Sequence, residues 1–180
     1  MQEGVGDMQV ITIQKLTVLQ TLKTKGVYYV SDDAPIAPNL IKPYNFMMKH
    51  YRYQHRPIFG CPVWKYCNFG GTDIEDSYII ELIIPDRYCK IQDYYCWSDF
   101  IYFTELPYEF EQFNGMNTVE EFGKYVLDMN KSGFKNRDAC YQVTSQFLHK
   151  NWVRKVIKMN ETFRKSYIDN GGNAILYSIM

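Results

Sequence analysis

The chain carries no excess charge of either sign. Its 20 basic residues are matched by 20 acidic ones and the isoelectric point lies near 6.8. No whole-molecule field therefore draws it to a phosphate backbone or an anionic lipid surface, which argues against nucleic-acid binding by bulk electrostatics. It also lacks a long apolar run. The longest, YIIELIIP, is interrupted by Glu81 and falls far short of the roughly 20 residues that span a bilayer, so no membrane segment is expected. The N-terminal MQEGVGDMQV has no basic stretch followed by an apolar core, and the five cysteines (Cys61, Cys67, Cys89, Cys96, Cys140) are odd in number and form no Cys-x-x-Cys pair. The expectation is a reduced, cytoplasmic protein without a zinc site.

The usual catalytic signatures are absent as well. There is no Gly-x-x-x-x-Gly-Lys-Ser/Thr loop, no Gly-x-Gly-x-x-Gly turn and no Gly-x-Ser-x-Gly elbow, so the common nucleotide enzymes and serine hydrolases find no support. Cys96 stands near Asp93, whose carboxylate would raise rather than lower a thiol pKa. No catalytic residue is assigned from the sequence.

Aromatic residues are plentiful, at 17% of the chain and including 16 tyrosines. That is more than a core alone usually uses, and tyrosine suits both pockets and interfaces. The 180 residues are enough for one domain burying roughly 70% of its unfolded surface. The pattern reads as α+β: a single domain over residues 10–180, a mixed β-sheet with three to four packed helices, and a flexible leader over 1–9. Val10, Ile11 and Ile13 predict a strand with Thr12 and Gln14 on its opposite face. Leu16, Leu19 and Leu22 before Gly26 predict a capped helix, and Val27–Val30 a second strand. From Pro43, the residues Tyr44, Met47, Met48 and Tyr51 form a helical stripe. Gly60–Tyr66 and Tyr78–Ile84 are expected to pair as a hairpin. Thr118 with Glu121 matches a capping box, a helix is expected over about 139–159, and NAILYSIM at the C-terminus reads as a closing strand.

The most informative stretch is Ile79 to Asp99, where an apolar strand runs through Pro85-Asp86 into a loop carrying Asp93 among Tyr94, Tyr95 and Trp97. A buried strand that hands the chain to a polar-aromatic loop makes a good pocket wall. Asp93 would hold a ligand hydroxyl or cation, or else cap a helix by accepting from N–H groups two or three residues on. Thr12 and Gln14 project together under strand alternation, and Trp64 and Tyr66 with Trp97 offer aromatic faces for a planar ring or for the core. The basic group His50, Arg52, His55 and Arg56 suits either phosphate or a helix C-terminus.

Several of these segments together carry a resemblance: Thr12-Ile13-Gln14, Gly26-Val27-Tyr28, Tyr44-x-Phe46-Met47, Cys61-Pro62-Val63-Trp64-Lys65-Tyr66, and Ile84-Pro85-Asp86 followed by Gln92-Asp93-x-x-x-Trp97. In order and spacing the set resembles the bacterial domain of unknown function family 3841, over about residues 10 to 105. The chain departs from that family's pattern at Phe46 and Tyr66, where tryptophan is expected, at Gln92 in place of serine, and at Ser98 in place of histidine. Asn151-Trp152-Val153-Arg154-Lys155 only echoes the family's Ser-Trp-Glu-Arg-Ile. The resemblance implies kinship of fold and no particular activity.

The functional expectation is a pocket built from Thr12, Gln14, Trp64, Tyr66, Asp93 and Trp97 that binds a small planar or nucleotide-like ligand. NAD or another nucleotide is the cofactor class such a pocket admits, in a use compatible with an ADP-ribosyltransferase-like fold. The alternative is a non-enzymatic protein-binding module of a bacterium or phage, in which Tyr102, Tyr108, Phe110 and Phe113 form an exposed surface and Glu105, Glu109 and Glu111 select a basic partner.

Overall fold

The computed structural model describes residues 6–62, 77–110, 115–128 and 140–158. Within them the chain runs β1 (Asp7–Lys15), α1 (Leu16–Lys25), β2 (Val27–Tyr28), α2 (Pro38–Tyr51), β3 (Ile58–Pro62), β4 (Ser77–Pro85), β5 (Lys90–Asp93), α3 (Tyr94–Glu105), α4 (Val119–Asp128), β6 (Tyr141–Ser145), β7 (Leu148–His149) and β8 (Val153–Lys158). The architecture is α+β with four helices. Six strands form one sheet in the order β5-β6-β3-β1-β4-β8, and β2 pairs with β7 in a small second sheet. Every strand pairing among the described residues is antiparallel, where a mixed sheet was expected.

The centre of the sheet is the nine-residue pairing of β1 with β4, from Asp7 opposite Pro85 to Lys15 opposite Ser77. Asp7, Met8 and Gln9 are therefore part of a strand and not of a leader. β1 also pairs with β3 on its other side, through Val10 opposite Pro62 and Ile11 opposite Cys61. This corrects the expected hairpin. β1 lies between β3 and β4, because a nine-residue strand rich in β-branched residues offers β4 a longer ladder than the five-residue β3 can.

Side chains alternate across this sheet, and each face gathers its own core. On one face Val10, Ile58, Ile80, Leu82, Ile84 and Val143 pack under Val18 and Leu22 of α1. α1 ends on Gly26, whose φ of 80° is the left-handed conformation that glycine adopts at least cost. The Gly26 N–H donates to Leu22 O at 3.0 Å, and its carbonyl accepts from Lys150 N at 2.9 Å, which fastens the helix end to the turn after β7. On the other face α2, α3 and α4 bury Met47, Trp97, Phe100, Phe122, Val126 and Leu127, with Phe59 of β3 packed against them.

α2 starts at Pro38, five residues before the expected Pro43. Pro38 takes the favoured first helical position; Pro43 lies inside the helix, buried, and costs it one ladder bond. α4 follows the predicted capping signal. Glu121 N donates to Thr118 Oγ1 at 3.1 Å, and Glu121 Oε2 accepts from Asn117 N at 2.8 Å.

The helix expected over 139–159 is replaced by β6, β7 and β8. Val143 and Phe147 stand four residues apart, a spacing that a helix also allows. In fact Gln142-Val143-Thr144 carries β-branched side chains into a ladder with β3 on one side and β5 on the other, and all five residues of β6 are buried. The expected closing strand NAILYSIM lies outside the described residues, as do Trp64, Tyr66 and Phe113. None of the described helices is long and apolar enough to cross a membrane.

Candidate functional site

Four of the six residues expected to form one pocket are described, and they fall on both faces of the sheet. Thr12 is 1% exposed and its Oγ1 donates to Phe59 O at 2.7 Å while accepting from Gln14 Nε2 at 2.7 Å. By alternation from Val10, this pair belongs to the face that α1 covers. Trp97 belongs to the opposite core, 3% exposed, with its ring 5.6 Å from Phe100 and 6.4 Å from both Tyr44 and Phe59. The sheet thus separates Thr12 and Gln14 from Trp97.

Asp93 caps α3. Its Oδ1 accepts from Tyr95 N at 2.9 Å and from Cys96 N at 3.0 Å, satisfying two N–H groups that the first turn leaves open. Burial, and then the Asp93 carboxylate beside it, push the Cys96 thiol up to about 12, so this cysteine is held as the neutral thiol. Cys89 is likewise pushed up to about 12, by burial and then by Asp86. Cys61, Cys89 and Cys96 form no disulfide, whereas Cys140 does, at odds with the expectation of a fully reduced chain.

The basic group at the end of α2 is dispersed over separate partners. Arg56 donates from Nη1 to Ala34 O at 2.7 Å and from Nη2 to Ser31 O at 2.9 Å and to Asp32 O, so its guanidinium ties down the loop before α2. Arg52 takes a left-handed C-cap with φ 57°, His55 lies against Tyr29, and His50 Nε2 meets Asp128 Oδ1 at 2.7 Å.

Among the described residues, α2, α3 and α4 line an open cleft of about 510 Å³. Three helical periodicities build it. On α2, Lys42, Phe46, Lys49 and His50 sit at i, i+4, i+7 and i+8, a stripe beside the one that buries Met47. On α3, Phe100, Phe103 and Thr104, continued by Pro107, make the second wall. Val119, Glu120 and Lys124 of α4 make the third. Gly123 lets α4 approach, since a Cβ there would lie 2.4 Å from Phe100 Cε2 and 2.8 Å from Phe46 Cε1.

The floor is aromatic and the rim is cationic. Phe46 and Phe100 meet at 5.0 Å, and Phe46 stacks on His50 at 6.5 Å and 12°. Lys124 Nζ is paired with Glu120 Oε1 at 3.2 Å, while Lys42 and Lys49 make no ion pair among the described residues. Thr104 Oγ1 is already spent on Ile101 O at 2.7 Å. The sequence reading missed this cleft. Its signal was the second α2 stripe, Lys42-Phe46-Lys49-His50, masked by the stronger Tyr44-Met47-Met48-Tyr51 stripe on the same helix.

A buried polar cluster lies behind it. Gln92 Nε2 donates to Tyr51 OH at 3.0 Å and Thr144 Oγ1 at 2.9 Å, and Tyr51 OH donates to Leu127 O at 2.8 Å. Burial holds the Tyr51 hydroxyl well above its ordinary range and pushes Tyr53 up to about 12. Among the described residues Gln92 Oε1 and Gln142 Nε2, on facing positions of β5 and β6, are buried without a partner. No set of three or more His, Cys, Asp or Glu among the described residues is arranged to hold a metal ion. No family model matches the chain, nor does any curated protein or solved structure.

Proposed function

We propose that this protein is a small-ligand binding domain whose site is the cleft between α2, α3 and α4, and that its ligand is planar. The observation that carries this reading is the cleft itself: about 510 Å³ of concave space with Phe46, Phe100 and Phe103 as its apolar floor and charged side chains confined to its rim. Small-molecule sites have this size and composition, apolar walls that supply affinity and a few polar groups that fix orientation. A nucleotide-like molecule fits the same description, with its base on the phenylalanines. Within the reading we keep the kinship with domain of unknown function family 3841, supported by the order and spacing of its motifs over β1 to α3, and a cytoplasmic setting, supported by three cysteines outside any disulfide and opposed by the disulfide at Cys140. An ADP-ribosyltransferase-like activity is the narrowest form of the proposal and needs a positioned acid or base beside the bound ring. Binding without catalysis is the form we favour, because Glu120 is engaged by Lys124.

The test is a thermal-shift screen of planar carboxylates, nucleotides and NAD against wild type and Thr104→Trp, whose indole would fill the cleft. A ligand present at about 100 times its dissociation constant adds about 2.7 kcal/mol of stability, which raises the melting temperature by roughly 5 °C or more in a chain of this size. The proposal expects that rise in wild type and its loss in Thr104→Trp. An equal rise in both proteins would move the site elsewhere.

A specific observation favours one other reading. Tyr95, Tyr102 and Tyr108 are 61%, 48% and 79% exposed, and Tyr95 and Tyr102 lie seven residues apart on one side of α3. Exposed tyrosines grouped in this way suit a protein interface. Phe110, which was to complete that surface, is packed on Phe103 and Phe122 instead. A pull-down that depends on Tyr102 and Tyr108, with no ligand bound by the cleft, would favour this second reading.

A further inference from the structure

We infer that the ligand of the helical cleft is an anion with a planar apolar body, which sets a carboxylate or phosphate against Lys42 and Lys49 while its rings lie on Phe100 and Phe103; this rests on the cleft being the binding site. Around the cleft the side-chain donors are Lys42, Lys49 and Lys124, since His50 Nε2 is engaged with Asp128 Oδ1 at 2.7 Å, and the one carboxylate in the lining, Glu120, is already bridged to Lys124 at 3.2 Å. The Thr104 hydroxyl donates to its own helix and brings no donor into the space. A cation or a polyol would therefore find few acceptors free, whereas a ligand rich in acceptors finds two lysines with no ion pair among the described residues.

Position strengthens the charge. Lys42 and Lys49 are seven residues apart, two turns of α2, with Phe46 between them on the same stripe, so their Cα atoms are separated by about 10 Å along the axis. A ring system resting on Phe46, Phe100 and Phe103 would reach toward both ammonium groups from one placement. Three lysines against one glutamate give this lining a local positive excess in a chain whose formal net charge is zero. The lysines stand exposed at the rim, so their pull on a ligand is that of surface charges set beside an apolar floor. A free apolar molecule of the same shape would gain the floor and nothing from the rim.

The test uses two fluorescent probes of similar shape, anilinonaphthalene sulfonate, which is anionic, and phenylnaphthylamine, which is neutral, titrated into wild type, Lys42→Ala/Lys49→Ala and Thr104→Trp. Both lysines are exposed, so the double variant keeps its fold. The inference expects the anionic probe to lose affinity by about ten-fold in the lysine variant, the order of one charge-assisted contact, with the neutral probe unchanged, and both to be lost in Thr104→Trp. Equal affinity of the anionic probe for wild type and the lysine variant would overturn the anion assignment while leaving the cleft as the site. Binding of both probes to Thr104→Trp as to wild type would overturn the cleft itself. Displacement of the bound anionic probe by adenosine monophosphate but not by naphthoate assigns the phosphate form, and the reverse assigns the carboxylate.

Discussion

The two faces of the sheet are covered by different chemistry. Under α1 the fully buried core is aliphatic, with Val10, Ile80, Leu82, Ile84, Val143 and Leu148 each 2% exposed or less, and the aromatic Tyr28, Tyr88 and Trp152 pack against it only partly buried. Under α2, α3 and α4 it is aromatic, built on Trp97, Phe100 and Phe122. Branched aliphatic chains interdigitate between the rows of a pleated sheet and leave little space. Flat rings meet at an angle instead: Trp97 with Phe100 at 40°, Phe46 with Phe100 at 52°, Phe103 with Phe122 at 70°. Tilted rings fill the space between the three helices, and all three line the cleft. The cleft thus lies on the face whose core is built from rigid rings.

The largest way to break this contrast is truncation on each side. Phe100→Ala should lower unfolding free energy by about 3–5 kcal/mol and alter ligand binding, because its ring is both core and cleft floor. Leu82→Ala, fully buried on the other face, should cost about 2–5 kcal/mol and leave ligand affinity unchanged. Urea unfolding and probe titration measure the two quantities, and a loss of binding in Leu82→Ala would contradict the division of labour.

A smaller effect sharpens it. Gly123→Ala places a methyl group 2.4 Å from the Phe100 ring, which should cost about 1–3 kcal/mol through overpacking and push α4 from α3. Its ligand affinity should change along with its stability, unlike that of Leu82→Ala.

Smaller again is Asp93→Ala. As the N-cap of α3 the residue should be worth about 1 kcal/mol, and the variant should bind ligand as wild type does. A selective loss of ligand with stability intact would return Asp93 to a binding role.

Last comes pH. Burial raises Cys89 and Cys96 from 9.0 to about 12 in the folded chain. A group with a raised native pKa contributes its stability in full below its unfolded value and loses it as the pH climbs through the folded one. Stability should therefore be flat in these thiols up to about pH 9 and decline between pH 9 and 12, and both thiols should react slowly with an alkylating agent at pH 8 until the chain is unfolded. Rapid alkylation of Cys96 in the native protein would contradict its neutral, sheltered state.

How far the sequence could be read follows from the range of the forces involved. Local signals were legible: the left-handed Gly26 stop, the Thr118 and Glu121 cap, and the Val10-Ile11-Ile13 strand each depend on a few neighbouring residues. Partnership across the sheet was not, because nothing local in Gly60–Pro62 records that β1 comes between it and β4. The segment from Tyr141 to Lys158 was misread because apolar residues at mixed spacing fit a helix, while its β-branched members follow the ladder that β3 and β5 offer. The expected site shared this weakness. Thr12 and Gln14 share a face as expected, but Trp97 stands on the opposite one, and face assignment is a property of the whole sheet. The cleft was hidden for a related reason: it needs three helices, each contributing a minor stripe.

The most direct measurement is the position of anilinonaphthalene sulfonate in a crystal of its complex with the protein. The account predicts its rings in contact with Phe46, Phe100 and Phe103 and its sulfonate within hydrogen-bonding distance of Lys42 Nζ or Lys49 Nζ. A probe found only against Tyr95, Tyr102 and Tyr108, with the cleft between α2, α3 and α4 left clear, would contradict it.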